Sequence, residues 1–245
     1  MKFSYSAVWA DTAALLRSHS SLIATVAGVF LFLPGLLVAH FLPQPEPVEL
    51  DRIGQLWIDY LGANWPWLLL NSLISMIGSI AILLLIFARD ISVGGAIRAA
   101  LALLPGYFIA SLLGSFAIGI GFVLLIVPGL YLLGRLGPLN SVVVAEAHRN
   151  PIAAIRRCFE LTRGHGWAIL GLILIVAFAA AIAVGVASTL IGILLVLVAG
   201  QDIGQLLVLI VRTAGNAAMM TLLLVLNAAI YRQLSAGRSA PAAAD

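Results

Sequence analysis

Residues 66–88 read PWLLLNSLISMIGSIAILLLIFA, a run without a single charged side chain that ends at Arg89. As a helix rising about 1.5 Å per residue, such a run can cross a hydrocarbon core of roughly 30 Å. Comparable runs occupy residues 21–42, 104–126, 129–147, 167 to about 189, and 205–231, so the chain reads as an all-α, polytopic transmembrane bundle of six spans. Composition agrees: 9% of residues are charged and the mean hydropathy is +1.13, against about 25% charged in soluble domains. A water-soluble fold is excluded. The 245 residues fit one integral membrane domain, residues 1–235, followed by a disordered cytoplasmic tail at 236–245.

Charge placement orients the spans. Of the 13 lysines and arginines, Lys2, Arg17, Arg89, Arg98, Arg149, Arg156, Arg157, Arg163, Arg232 and Arg238 fall on the side of the N-terminus. The opposite side holds Arg52, beside Glu46, Glu49, Asp51 and Asp59. The positive-inside rule then puts both termini in the cytoplasm of a cell (inner) membrane. Lys2 and Arg17 ahead of an apolar run resemble a signal peptide. Residues 21–42 are too long for an ordinary signal core, however, and no A-x-A-like cleavage site follows, so they are expected to remain as the first span.

Prolines and glycines mark the connections. Val127-Pro128-Gly129 predicts a tight outer hairpin between the third and fourth spans. Residues 167–200 exceed one upright span, and Gly185 offers a bend. A seventh span there would place Arg232 and Arg238 outside, so 186–200 read as a tilted continuation or a short outer helix. Two gaps look amphipathic. Asn150 and Pro151 suit the cap and first turn of a helix over 150–163. In it Ile152, Ile155 and Phe159 share one face, and Arg149, Arg156 and Arg163 recur on another, with Arg157 adding to the basic side. That pattern predicts a helix lying in the cytoplasmic interface. Residues 48–61 predict an outer counterpart ended by Gly62, with Trp57, Trp65 and Trp67 as an aromatic belt. Ala96-Ile97-Arg98 matches Ala154-Ile155-Arg156, and Arg17-Ser18-His19 resembles Arg163-Gly164-His165. These matches suggest a threefold repeat of interfacial helix plus membrane hairpin.

The segment Val127-Pro128-Gly129-Leu130-Tyr131, with Arg135, Val142-Val143-Val144-Ala145-Glu146, Ala153-Ala154-Ile155-Arg156-Arg157 and Leu161-Thr162-Arg163-Gly164, resembles one family. It is similar to the membrane domain attached to some glycerophosphoryl diester phosphodiesterases and found alone in many bacterial six-helix membrane proteins. The likeness is strongest over residues 89–175. It implies the six-helix membrane fold. The phosphodiesterase barrel of the fused members, with its acidic metal ligands and histidines, is absent from the sequence, so the resemblance carries no phosphodiesterase activity.

Arg135 and Arg212 stand six and seven residues inside the outer ends of the fourth and sixth spans, roughly 9 to 11 Å deep. Arginine at such depth snorkels to headgroups, pairs with carbonyls, or grips an anion, for which its planar fork suits a lipid phosphate. Together with Asn140 and Asn216, the two are expected to converge on one outward-facing anionic lipid site. Glu146 is expected to form a structural ion pair with Arg149, Arg156 or Arg98. Asn71, Asn140, Asn216 and Asn227 suit interhelical hydrogen bonds, while His19 and His165 suit interface anchors. Cys158, the single cysteine, permits neither an intrachain disulfide nor a paired-thiolate metal site. No H-E-x-x-H, P-loop, G-x-S-x-G or paired-cysteine motif occurs, so no catalytic residue, metal or cofactor is expected. Nucleic acid is not an expected partner either. The sequence reads as a non-enzymatic membrane protein that binds or organises anionic phospholipid, or anchors a membrane protein partner. A small-solute or lipid transporter or channel is the alternative, and an intramembrane enzyme the second.

Overall fold

A backbone surrounded by hydrocarbon can satisfy its N–H and C=O groups only within itself, which a helix does turn by turn. The computed structural model describes residues 3–42, 52–88, 91–148 and 150–239, and among these there are helices and turns but no strand. In chain order they are α1 (Tyr5–Ser18), α2 (Ser20–Ala27), a π-helical turn (Gly28–Phe32), α3 (Leu33–Phe41), α4 (Ile53–Phe87), α5 (Val93–Leu124), α6 (Ile126–Leu136), α7 (Leu139–Ala145), α8 (Pro151–Leu161) and α9 (Gly166–Ser239). Five stretches are long and apolar enough to cross a membrane: 20–41, 54–87, 93–124, 126–145 and 166–236. Large apolar side chains lie bare over much of the surface, among them Val123 at 88%, Val198 at 87% and Leu197 at 77% exposure. Water would not tolerate apolar surface on that scale, whereas lipid does.

Polar side chains set the helix starts. Ser4 accepts from Ala7 N and Ser92 from Gly95 N. Asn150 accepts from Ile152 N and Ala153 N with Pro151 at the first helical position, as the sequence predicts. Elsewhere the breaks move. Leu125 alone is extended (φ −163°, ψ 150°) between α5 and α6, so the hairpin pivots there and Pro128 sits inside the first turn of α6. The α4 helix runs unbroken through Gly62 and Pro66, so Gly62 ends no outer helix; residues 48–51 of that expected helix lie outside the described residues. Three helical stretches begin at α1, α5 and α8, but α5 passes from its basic start to its apolar end without the turn that follows α1 and α8. The threefold repeat is thus not reproduced in the helix boundaries.

The largest departure is α9. It is interrupted at Gly200, whose φ of 78° and ψ of 177° suit glycine and end the regular helix. Residues at equal distances on either side of Gly200 then meet: Val196 packs on Gly204, Val208 on Gly192, and Val184 on Gly215. The 166–199 and 201–239 segments are therefore antiparallel arms of one hairpin, each on the order of 50 Å long. Gly185 lies within a continuous arm, and the break falls at Gly200 instead. Residues 236–239, placed by the sequence in a disordered tail, form the last turn of the return arm.

The first helix and the last turns of α9 meet. Gln233 Nε2 donates to Ser4 O at 3.3 Å, and Arg232 pairs with Asp11 at 3.2 Å. Phe87 packs its ring edge against Tyr231 at the same end. Toward the opposite end Thr213 lies against Gly35 of α3, and Tyr60 Oη donates to Leu42 O at 3.0 Å.

Candidate functional site

Arg135 occupies the last turn of α6, and the helix breaks just after it because Pro138 has no N–H to continue the ladder. Near this break Tyr131 packs against Trp167, Gly134 against Gly166 and Leu170, and Gly137 against Ile173. Gly166 also lies against Tyr131 and Arg135, so the last turns of α6 sit beside the first turns of α9. Depth counted along one upright fourth span therefore does not apply to Arg135. The residue lies beside the start of α9 and the C-terminal end of α8.

Each nitrogen of its guanidinium donates into that neighbourhood. Nε donates to Thr162 Oγ1 at 2.9 Å, Nη1 to Tyr131 Oη at 2.9 Å, and Nη2 to Phe159 O. The same group sits 4.9 Å from the Phe159 ring centroid and 5.6 Å from that of Tyr131, within cation–π range. Its carbonyl accepts from Cys158 Sγ at 3.3 Å and from Thr162 Oγ1 at 3.2 Å. Burial pushes the Cys158 thiol up to about 12 against the opposing pull of Arg135, which keeps it a neutral donor. Ala154, Cys158 and Leu161 bury the inner face of α8, while Ile155 and Phe159 pack against the core. Of the three residues expected to enter lipid, only Ile152 is well exposed.

Glu146 braces the same region through a different arginine from those the sequence offers. Its carboxylate accepts from Arg157 Nε at 3.0 Å and from Tyr231 Oη at 3.1 Å, with His148 Nε2 at 3.0 Å. Ala147 takes a positive φ of 49°, turning the chain so that Glu146 and His148 face each other. Burial alone would raise the carboxyl, but the bonds from Arg157, His148 and Tyr231 outweigh it and hold it below the ordinary value. Arg156 instead reaches Glu160 at 3.6 Å on an exposed surface. Arg163 and Arg98 are both exposed. Arg149 lies outside the described residues.

Arg212 is elsewhere. It lies on the return arm of α9 across from Ser188, both 12 residues from Gly200, about 22 residues or roughly 33 Å along the hairpin from the Gly166 that touches Arg135. The structure does not bring the two arginines together. Nor are the amides paired as expected: Asn140 accepts from Ser111 Oγ at 2.9 Å, and Asn216 stands one turn from Arg212. Between the α9 arms runs an open groove of about 720 Å³, lined by Ser188, Thr189, Gln205, Arg212 and Asn216 amid apolar side chains such as Val184 and Met219. Ser188 Oγ donates to Gly185 O at 3.1 Å. Among the described residues Thr189, Gln205, Arg212 and Asn216 have no hydrogen-bond or ion-pair partner within the protein.

Sequence reasoning missed Ser188, Thr189 and Gln205. The signal lay in the reflection about Gly200, which sets Ser188 and Thr189 opposite Arg212. Reading Gly185 as the bend hides it. Of the remaining asparagines, Asn227 bonds Leu223 O of its own helix at 2.9 Å, and Asn71 Oδ1 is buried without a partner. No cluster of three metal-ligating side chains occurs among the described residues. Comparisons of the chain with protein-family models, with curated proteins and with solved structures find no match.

Proposed function

We propose that this is a multi-pass inner-membrane protein that binds anionic phospholipid, without catalysing a reaction, in the groove between the arms of α9. In this reading α9 crosses twice, giving six crossings with both termini cytoplasmic and Gly200 at the outer side. Adjacency of the Ser4 and Gln233 segments supports placing the termini together, and the arginine distribution supports the cytoplasm. The likeness of residues 89–175 to the membrane domain of glycerophosphoryl diester phosphodiesterases fits a membrane module without its own reaction.

One observation carries the reading. Arg212 and three other polar side chains without partners among the described residues face a groove lined, apart from Ser188, by glycine and apolar side chains. Polar groups in that setting are costly unless something polar meets them. An amphiphile with an anionic head does so, while its chains cover the apolar lining. A photo-crosslinking residue in place of Val208 should capture phospholipid, and much less in an Arg212→Gln background. Equal capture in both backgrounds would remove Arg212 from the site.

A further inference from the structure

The reading of the α9 groove as a lipid site leaves the headgroup open, and the lining narrows it. The groove offers one guanidinium and no carboxylate. A zwitterionic head would bring an ammonium group with no acid among the groove-lining side chains to receive it, the nearby Asp202 lying outside that lining, one turn beyond Gln205. A phosphomonoester carries about −1.5 to −2 charges, more than one guanidinium neutralises. A phosphodiester carries one.

Order along the return arm sharpens this. Met219 and Val184 line the groove on the side toward Gly166, then Asn216, then Arg212 level with Ser188 and beside Thr189, and Gln205 is the polar lining residue nearest Gly200, in the same lining as Val196 and Leu197. Asn216 is about 6 Å from Arg212 along the helix and Gln205 about 10 Å on the other side. A phospholipid entering with its chains toward the membrane centre presents the same sequence of layers: chains, ester carbonyls, phosphate, headgroup. The Asn216 amide N–H can donate to an ester carbonyl. Arg212 and the Thr189 hydroxyl can donate to phosphate. The Gln205 amide, both donor and acceptor, matches headgroup hydroxyls. We infer that the groove takes a monoanionic phosphodiester lipid with a hydroxylated headgroup, of the phosphatidylglycerol kind, its phosphate on Arg212 and its headgroup toward Gln205.

The test reconstitutes the full chain in nanodiscs of equal phosphatidylethanolamine, phosphatidylglycerol and phosphatidic acid, and measures the lipids retained after detergent washing by native mass spectrometry. Wild type should enrich phosphatidylglycerol over each of the others by roughly threefold to tenfold, the scale of one or two hydrogen bonds. Arg212→Gln should erase enrichment of both anionic lipids, Arg212→Lys should keep part of it, and Gln205→Leu should erase only the preference for phosphatidylglycerol over phosphatidic acid. Preference for phosphatidic acid in wild type would overturn the headgroup assignment and leave the anionic-lipid reading standing. No enrichment of either anionic lipid would overturn both. Displacement of the retained lipid by millimolar soluble glycerophosphoglycerol, which has the head without the chains, would identify a water-soluble ligand and overturn the lipid assignment.

Discussion

Arg135 and Arg212 are the same side chain in two settings that sequence spacing makes look alike. Arg135 is locked between α6, α8 and the start of α9 by three hydrogen bonds and two aromatic rings. Arg212 lines an open groove and has no partner among the described residues. The difference teaches that an arginine in a membrane protein is classified by how many of its donors the protein already engages. An arginine whose fork is filled by neighbouring helices acts as a strut, and one whose fork is empty is available to a ligand.

The sharpest way to break this contrast is to remove the strut. Arg135→Leu should destabilise the protein by about 2–4 kcal/mol, because it strips partners from Thr162, Tyr131 and the Phe159 carbonyl at once. Thermal unfolding in detergent reads this, and Arg135→Lys should restore less than half, since an ammonium cannot span the three acceptors. Unaltered melting of the leucine variant would mean that the cluster holds nothing together.

Glu146→Gln comes next, at about 1–2 kcal/mol near neutral pH, through weakened bonds to Arg157 and Tyr231. The pH dependence has a definite sign. The folded carboxyl lies below its ordinary value of 4.5, so its contribution is complete above that value and is lost as pH falls through the lower, folded one. Melting of wild type and variant should therefore converge in acid. A gap that persists there would assign the effect to packing.

Arg212→Gln should shift unfolding by no more than about 0.5 kcal/mol, as expected for a side chain without internal partners. Arg156→Ala should do no more than that, since Arg156 is 84% exposed and its ion pair with Glu160 spans 3.6 Å. A large loss from either would show contacts outside those described and blur the contrast between strut and open fork.

Helical membrane class was legible because residues 66–88 carry no charge, and their counterparts two at most, over the length a bilayer demands. The α8 cap was legible too, because Asn150-Pro151 is a local signal that needs no tertiary partner. What the sequence hid depends on where breaks fall. The fold chooses Gly200, which has positive φ and is followed by the polar Gln201 and Asp202, over Gly185, which lies in an apolar run. That choice decides which residues oppose Arg212. Likewise Pro138 makes 126–145 a broken element, so a depth counted through it misplaces Arg135. Glu146 finds Arg157 rather than Arg149, Arg156 or Arg98 because the turn at Ala147 and the burial of Cys158 fix which side of α8 faces it.

The most direct test of the account compares Arg135→Gln and Arg212→Gln side by side, measuring retained anionic lipid by native mass spectrometry and unfolding temperature on the same preparations. The account predicts opposite patterns: Arg135→Gln melts early and keeps its lipid, whereas Arg212→Gln melts with wild type and loses it. Retained lipid in the Arg212 variant, or lipid lost from an Arg135 variant of unchanged stability, would contradict it.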